Sequence, residues 1–287
     1  MTSTLREALS HAEARIAAQG IPDARIEAEL LLTHSLGIDR SELYARLGEP
    51  LLPAEAGGFA DLVDRRLRRE PAAYILRQWQ FCGIDLYVDH RVLIPRPETE
   101  LLVGAALAFV EQHCPQGQGC RVADIGTGSG AVAIALALHL PRVTIYGTDL
   151  SPEALEVARI NCGRHGVEER VHLLKGDMLE PLPEEVDLIV ANLPYVRDSD
   201  LPGLVPEIRE HEPVTALIAG EEGLEKIERL LAQAGGKLLP GGAVMLEIGQ
   251  GQGPAVLKMA RKHFAGAMVD LLPDLADIDR VLRVLTR

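Results

Sequence analysis

The chain has 287 residues, 47% apolar and 25% charged, a composition that excludes disorder and favours one large domain with a smaller one, or two comparable domains. A formal net charge of -13 excludes a general grip on a nucleic-acid backbone, which draws on many lysines and arginines, and leaves a protein or small molecule as the expected substrate. Four cysteines, Cys82, Cys114, Cys120 and Cys162, lack CxxC spacing or a histidine pairing for zinc and read as buried thiols of a reducing cytoplasm. The sequence has neither a basic segment followed by an apolar leader nor a long apolar run, so no membrane association is expected.

Residues 1–72 repeat apolar positions at helical spacing: Leu5, Leu9, Ala12 and Ile16, then Ala28, Leu31, Leu32 and Leu36. Breaks at Gly20 to Pro22, Gly37 to Asp39 and Gly48 to Pro53 divide them into a small helical bundle. The arginines of "DLVDRRLRRE" read as a solvated helix end. Over 73–96 the period changes, and "IDLYVDHRVLI" has the alternation and β-branched content of strands, so a linker with a β-hairpin is expected. "IPRPETELLVGAAL" then restarts a helix, with Pro97 near its first turn and Glu98 and Glu100 at the positive end of its dipole.

Across 97–287 strands and helices alternate. "RVADI", "VTIYGTD", "VHLLKGD", "VDLIVAN" and "AVMLEIG" are strand runs separated by helical segments, which implies parallel pairing with both sheet faces covered. "AMVDLLPD" and "RVLRVLT" follow with only a short loop between them, the signature of an antiparallel pair at a sheet edge. The expected fold is therefore α/β, a Rossmann-like seven-stranded sheet of the class I methyltransferase kind rather than a dinucleotide-binding domain.

The loop "DIGTGSGA" joins the first strand to its helix, at the strand ends where open α/β sheets bind ligands. Gly126, Gly128 and Gly130 allow a tight turn and close approach of a ligand, and Thr127 and Ser129 lie between them. The loop alone does not separate a nicotinamide cofactor from S-adenosylmethionine. Asp149 ends the second strand, 19 residues after Gly130, and suits two ribose hydroxyls of either cofactor. Asp177 ends the third strand, where S-adenosylmethionine enzymes commonly set a carboxylate on the adenine amino group, so the likeness makes Asp177 a candidate, with Met178 beside the adenine face.

The fourth strand runs into Asn192, Leu193, Pro194 and Tyr195, "NLPY", at the edge that would face a cofactor's reactive end. This stretch resembles the [N/D/S]PP[Y/F] motif of methyltransferases that alkylate planar nitrogens. An amide or aryl nitrogen is a poor nucleophile because its lone pair is delocalised. Two acceptors, the Asn192 side-chain oxygen and the Leu193 backbone carbonyl, would hold its hydrogens and support positive charge as it develops. Pro194 stiffens the turn, and Tyr195 packs on the planar group.

"PAAYIL", "QFCGIDLYV", "LIPRPETE", "DIGTGSG", "NLPYV" and "EPVTALIAGEEGL" occur in the order found in bacterial protein-(glutamine-N5) methyltransferases that act on peptide chain release factors. The chain resembles that family over nearly its whole length. The resemblance implies transfer of a methyl group from S-adenosyl-L-methionine, leaving S-adenosyl-L-homocysteine, to the glutamine of the Gly-Gly-Gln loop of class 1 release factors. It implies a helical substrate-recognition domain at 1–72, a catalytic domain at 97–287, no direct binding of nucleic acid and a cytoplasmic location. Carried across, Gly126, Thr127, Gly128, Ser129, Gly130, Asp149, Asp177, Met178 and Asn192 would contact the cofactor. Asn192, Leu193, Pro194 and Tyr195 would hold the glutamine, and Arg96, Pro97 and Glu98 would close the site, although a helix-start role explains Pro97 and Glu98 equally well. Two departures stand out: Leu193 replaces the usual proline, which keeps the carbonyl but loses rigidity, and "QFCG" replaces "EFxG", leaving Gln80 without a role. N6-adenine methylation shares "NLPY" but lacks a basic, aromatic-rich recognition surface. A nicotinamide-dependent dehydrogenase leaves "NLPY" unexplained. His113, His139, His165 and His172 have no spacing for a triad or a metal.

Overall fold

A computed structural model describes residues 3–114 and 119–287. The chain divides into two compact units: one runs to Gln78 and takes in Val205–His211, and the other comprises Trp79–Leu204 and Glu212–Arg287.

The first unit contains α1 (Leu5–Ala18), α2 (Ala24–Leu36), α3 (Arg40–Ala45), α4 (Pro53–Leu67) and α5 (Ala72–Leu76). Thr4 caps α1 in a reciprocal box with Glu7, satisfying two backbone donors that a helix start leaves open. Leu5, Leu9, Ala12 and Ile16 of α1 meet Ala28, Leu31 and Leu32 of α2 in one core, as the helical period requires. The arginine cluster departs from its expected solvation: Arg66 is only 4% exposed. Its guanidinium pairs with Glu27 at 2.9 Å and with Glu207 at 3.0 Å, which gathers the short distant helix Pro206–His211 into this unit. Partner carboxylates remote in sequence, invisible to local pattern, explain the burial.

The second unit opens with β1 (Trp79–Phe81) and β2 (Ile84–Leu86), an antiparallel hairpin. Cys82 and Gly83 between them both have positive φ, as a tight two-residue hairpin turn demands. The strand-like "YVDHRVLI" is irregular instead. Asp89 accepts from the backbone and guanidinium of Arg91 and from the Tyr87 hydroxyl, so a local polar turn takes this backbone out of a ladder. Burial alone would raise the Asp89 carboxyl, but these donors outweigh it and bring it to about 2.

Then follow α6 (Thr99–His113), β3 (Arg121–Ile125), α7 (Ala131–His139), β4 (Thr144–Asp149), α8 (Pro152–His165), β5 (Val171–Lys175), β6 (Val186–Ala191), β7 (Val196–Arg197), α9 (the Pro206–His211 helix of the first unit), β8 (Ile218–Gly220), α10 (Glu225–Ala234), β9 (Leu238–Glu247), α11 (Gly253–His263), β10 (Met268–Pro273) and β11 (Asp279–Leu285). The seven-stranded order is β10-β11-β9-β6-β3-β4-β5. β3, β4, β5, β6 and β9 are parallel, and β11 and β10 close one edge antiparallel. Two details exceed the expectation. β9 starts at Leu238, where it pairs with Val186, and β7 and β8 form a short parallel pair directly after "NLPY".

Connections leave β3 toward β4 on one side and reach β6 on the other, so the strand order reverses between β3 and β6, the crevice where such sheets bind ligands. Of the cysteines, Cys120 and Cys162 are buried, whereas Cys82 and Cys114 are half-buried. Cys114, Cys120 and Asp187 bring potential ligand atoms within 4.8 Å of one another, a grouping their spacing did not signal. Burial holds both of these thiols above their usual range. Among the described residues, no helix is long and apolar enough to cross a membrane.

Candidate active site

Strand register brings the chemistry-bearing residues to one edge. Ile125 pairs with Thr148 on one side and Ala191 on the other, and Ala191 in turn pairs with Leu246. The residues that follow these positions, Gly126, Asp149, Asn192 and Glu247, therefore leave four adjacent strands at one level.

The glycine loop is held from below. The amides of Gly126 and Thr127 both donate to the Thr148 carbonyl. The Thr127 hydroxyl donates to Asp124 Oδ2 at 2.7 Å, and the Ala133 amide reaches the same oxygen at 3.2 Å. Burial pushes the Asp124 carboxyl up to about 6, against the pull of these donors. Gly126, Gly128 and Gly130 all take positive φ. A Cβ on Gly130 would lie 3.0 Å from Ile134 Cδ1 and 3.3 Å from Ala158 Cβ, so α8 packs where only glycine leaves room. Ser129 is buried, and its carbonyl accepts from Asn161 Nδ2 at 2.9 Å.

Asp149 accepts from the Gly128 amide through Oδ2 and from the Ser151 amide through Oδ1, each at 2.9 Å. Burial raises its carboxyl while these backbone donors lower it, and burial prevails. Asp177 takes a different partner, pairing with Arg229 at 2.6 Å. Met178 is buried in the sheet's core with φ of 51°, a backbone region that side-chain-bearing residues seldom occupy. Its carbonyl accepts from the Thr148 hydroxyl at 3.0 Å.

Asn192 Nδ2 donates to Thr99 Oγ1 at 3.1 Å, and Thr99 Oγ1 donates to Glu247 Oε2 at 2.6 Å. Burial pushes the Glu247 carboxyl up to about 7, with Thr99 pulling it down. Leu193 is 5% exposed and belongs to the core that includes Ile125 and Leu246. Its Cδ2 lies 3.3 Å from where a Gly126 Cβ would stand, so it seals the underside of the glycine loop. Side-chain burial thus anchors a turn that proline would have stiffened covalently.

Tyr195 is clamped through its backbone: Gln252 Nε2 donates to its carbonyl at 3.3 Å and to that of Gly223 at 3.0 Å. A Cβ on Gly223, at φ 74°, would fall 2.6 Å from the Tyr195 oxygen, which accounts for glycine there. Burial, then the nearby Glu247, pushes the phenol up to about 12, so it stays protonated and is no general base.

Arg96 pairs with the buried Glu212 at 2.5 Å. Pro97 and Glu98 immediately precede α6, Glu98 in its cap position. Gln80 pairs with Asp85 in the β1–β2 hairpin. His113, His139 and His165 bond to backbone carbonyls of Phe109, Ala135 and Asp85.

Sequence reading missed Thr99, Glu247, Gln252 and Asn161. Thr99 and Glu247 were legible only as a helix start and a strand end. Asn161 is fully buried and ties the Ser129 carbonyl to the backbone of Tyr87 on both sides. A polar residue on the inward face of a helix, as Asn161 is in α8, was the available signal.

This combination of a parallel sheet with a reversed antiparallel edge, a glycine loop, an acid at the end of the second strand of the sheet and a strand-end asparagine defines a class I methyltransferase fold. A family model described as a methyltransferase domain matches residues 116–239, and one described as the PrmC N-terminal domain matches 7–76. A methyltransferase from Pyrococcus furiosus shares the fold at a TM-score of 0.50 and 20% identity, over 71% of this chain and 89% of that one.

The release factor glutamine methyltransferase of Moorella thermoacetica is 45% identical over 96% of this chain and 96% of its own length. That of Geobacter sulfurreducens is 42% identical over 97% and 95%. The chain belongs to the release factor glutamine methyltransferase family.

Proposed function

We propose that this protein transfers a methyl group from S-adenosyl-L-methionine to the side-chain amide nitrogen of the glutamine in the Gly-Gly-Gln motif of class 1 release factors, in the cytoplasm. The reading divides the chain into a recognition domain at 1–72, a hairpin linker at 73–96 and a catalytic domain at 97–287.

The observation that carries it is the Asn192 side chain, whose nitrogen is engaged by Thr99, leaving its oxygen as the acceptor for an incoming N–H. The donor set fits the cofactor. Among the described residues the half-buried Asp149 carboxylate receives neutral backbone donors alone, and a pair of ribose hydroxyls would complete its coordination. Gly126, Thr127, Gly128, Ser129 and Gly130 would carry the rest of the nucleoside and the amino-acid portion. Leu150, 67% exposed beside Asp149, offers apolar surface to a purine. Asp177 would accept from the adenine amino group after sharing Arg229, with Met178 behind it.

When bound, the cofactor supplies an electrophilic methyl on a sulfonium. Asn192 Oδ1 and the Leu193 carbonyl would each accept one hydrogen of the glutamine amide, fixing its nitrogen and spreading the charge it gains. Pro194 holds the direction of that carbonyl, and Tyr195 packs on the amide plane and excludes water. No strong base is needed, because the nitrogen's proton becomes acidic only as the new bond forms.

The test is methylation of a purified class 1 release factor with labelled S-adenosylmethionine and mass spectrometry of the Gly-Gly-Gln peptide. The methyl group is expected on the glutamine and is expected to vanish when that glutamine is alanine. Equal labelling of both substrates would overturn the reading.

A further inference from the structure

Asparagine presents two nearly isosteric faces, one donating and one accepting, and only the accepting face serves an amide substrate. What selects that face lies behind Asn192. Thr99, the first residue of α6, and Glu247, the last of β9, are 3% and 2% exposed. Burying a carboxylate and a hydroxyl in a catalytic domain is costly unless each is satisfied.

An ionised carboxylate only accepts, and a hydroxyl has a single proton to give. Thr99 gives that proton to Glu247 over 2.6 Å. While Glu247 is ionised, only lone pairs remain on the Thr99 oxygen for Asn192, so Asn192 offers its NH2 there, at 3.1 Å. The amide's carbonyl oxygen is then turned the other way. A flipped amide would set its hydrogens against those of the substrate nitrogen.

We propose that Thr99 and Glu247 are positioning residues for methyl transfer, a two-step relay that fixes the Asn192 amide with its oxygen toward the substrate nitrogen. The inference rests on the functional reading above and adds the device that makes its acceptor dependable. Loss of the relay acts on turnover rather than on cofactor affinity, because Thr99 reaches the reaction only through Asn192.

The test compares Thr99→Val, which keeps shape but removes the hydroxyl, with Thr99→Ser, which keeps the hydroxyl. Loss of one orienting hydrogen bond is expected to lower kcat by about tenfold or more in Thr99→Val, with KM for the release factor and Kd for S-adenosylmethionine nearly unchanged. Thr99→Ser is expected to stay close to wild type. Thr99→Val added to Asn192→Ala is expected to cause no further loss, since the two act as one unit. A Thr99→Val enzyme as fast as wild type, a Thr99→Ser enzyme as slow as Thr99→Val, or additive losses in the double variant would each overturn the relay.

A second measurement is independent of the substrate. In NMR of the full chain, the Asn192 side-chain amide hydrogens, assigned by their loss in Asn192→Ala, are expected to exchange with solvent distinctly faster in Thr99→Val than in wild type or Thr99→Ser. Unchanged exchange would overturn the relay. Wild-type protein that methylates no release factor would instead remove the functional reading, and the exchange comparison would still decide the orientation of Asn192.

Discussion

Buried charge is treated in opposite ways in the helical unit and at the carboxyl edge of the sheet. In the helical unit, Glu29 is 2% exposed yet bonded to Arg25, Arg40 and Tyr44. Burial alone would raise its carboxyl, but these partners outweigh it and the net direction is down. Arg66 likewise has two carboxylate partners. At the sheet edge, Asp124, Asp149 and Glu247 receive hydroxyl and backbone donors and form no ion pair among the described residues, and burial carries all three upward. Cations hold the buried acid ionised in the helical unit, whereas at the sheet edge neutral donors leave burial the larger influence.

The sharpest way to break this contrast is to unpair a charge in the helical unit. Arg66→Ala would strand Glu27 and leave Glu207 with Arg69 alone, and the helical unit is expected to lose about 3 kcal/mol, the low end for breaking a buried pair because Glu27 retains some solvent and Glu207 keeps a cation. Denaturant unfolding of the full chain would measure it, with cofactor affinity by calorimetry expected to remain at the wild-type value. A comparable loss of affinity would show that the two regions do not divide their labour in this way. Asn192→Ala is the reverse case. Methyl transfer is expected to fall by two or more orders of magnitude, roughly 3 kcal/mol as for other positioned hydrogen-bonding groups, while unfolding changes little. Activity within tenfold of wild type would remove Asn192 from its role.

Much of this was legible beforehand, because the helical period of Leu5 to Ile16, the alternation of strands and helices and the "GTGSG" and "NLPY" loops are local signals. The sheet's parallel order and its antiparallel edge followed from connection lengths. What stayed hidden depends on long-range juxtaposition. Arg66 meets Glu207 across 141 positions, and Thr99 meets Glu247 across 148. Nothing within a helical turn or a strand announces either pair. The segment after Leu86 misled for the opposite reason: its β-branched alternation is real, but Asp89 and Arg91 supply stronger local bonds than a ladder would.

A gentler probe is pH. Glu247 faces Thr99 by hydrogen bond and the charges of Glu98, Arg280 and Arg96, with the Tyr195 phenol also near, and its carboxyl sits at about 7. A carboxyl raised above its unfolded value contributes stability that is fully present below the ordinary carboxylate range and is lost as pH rises through about 7. Catalysis should run the other way. A protonated Glu247 can donate to Thr99, releasing the hydroxyl proton to Asn192 Oδ1 and favouring the flipped amide. Turnover is therefore expected to rise through about pH 7 while thermal stability falls, and Glu247→Gln is expected to flatten both trends. An unchanged acid limb in Glu247→Gln would assign that limb to another group.

The smallest effect is expected at Leu193. If the turn needs a carbonyl in a fixed direction, either a buried leucine or a proline can provide it, and the two differ mainly in how they restrain the chain. Leu193→Pro keeps the carbonyl, gains a locked φ and gives up contacts under the glycine loop, where the leucine is 5% exposed. Turnover is expected to stay within about threefold, while stability drops by about 1 kcal/mol for the lost methyl packing. A large loss of turnover at unchanged fold would mean that leucine burial itself aims the carbonyl. Asn192 and Leu193 would then be held by two separate devices, a polar relay for the side chain and an apolar anchor for the backbone.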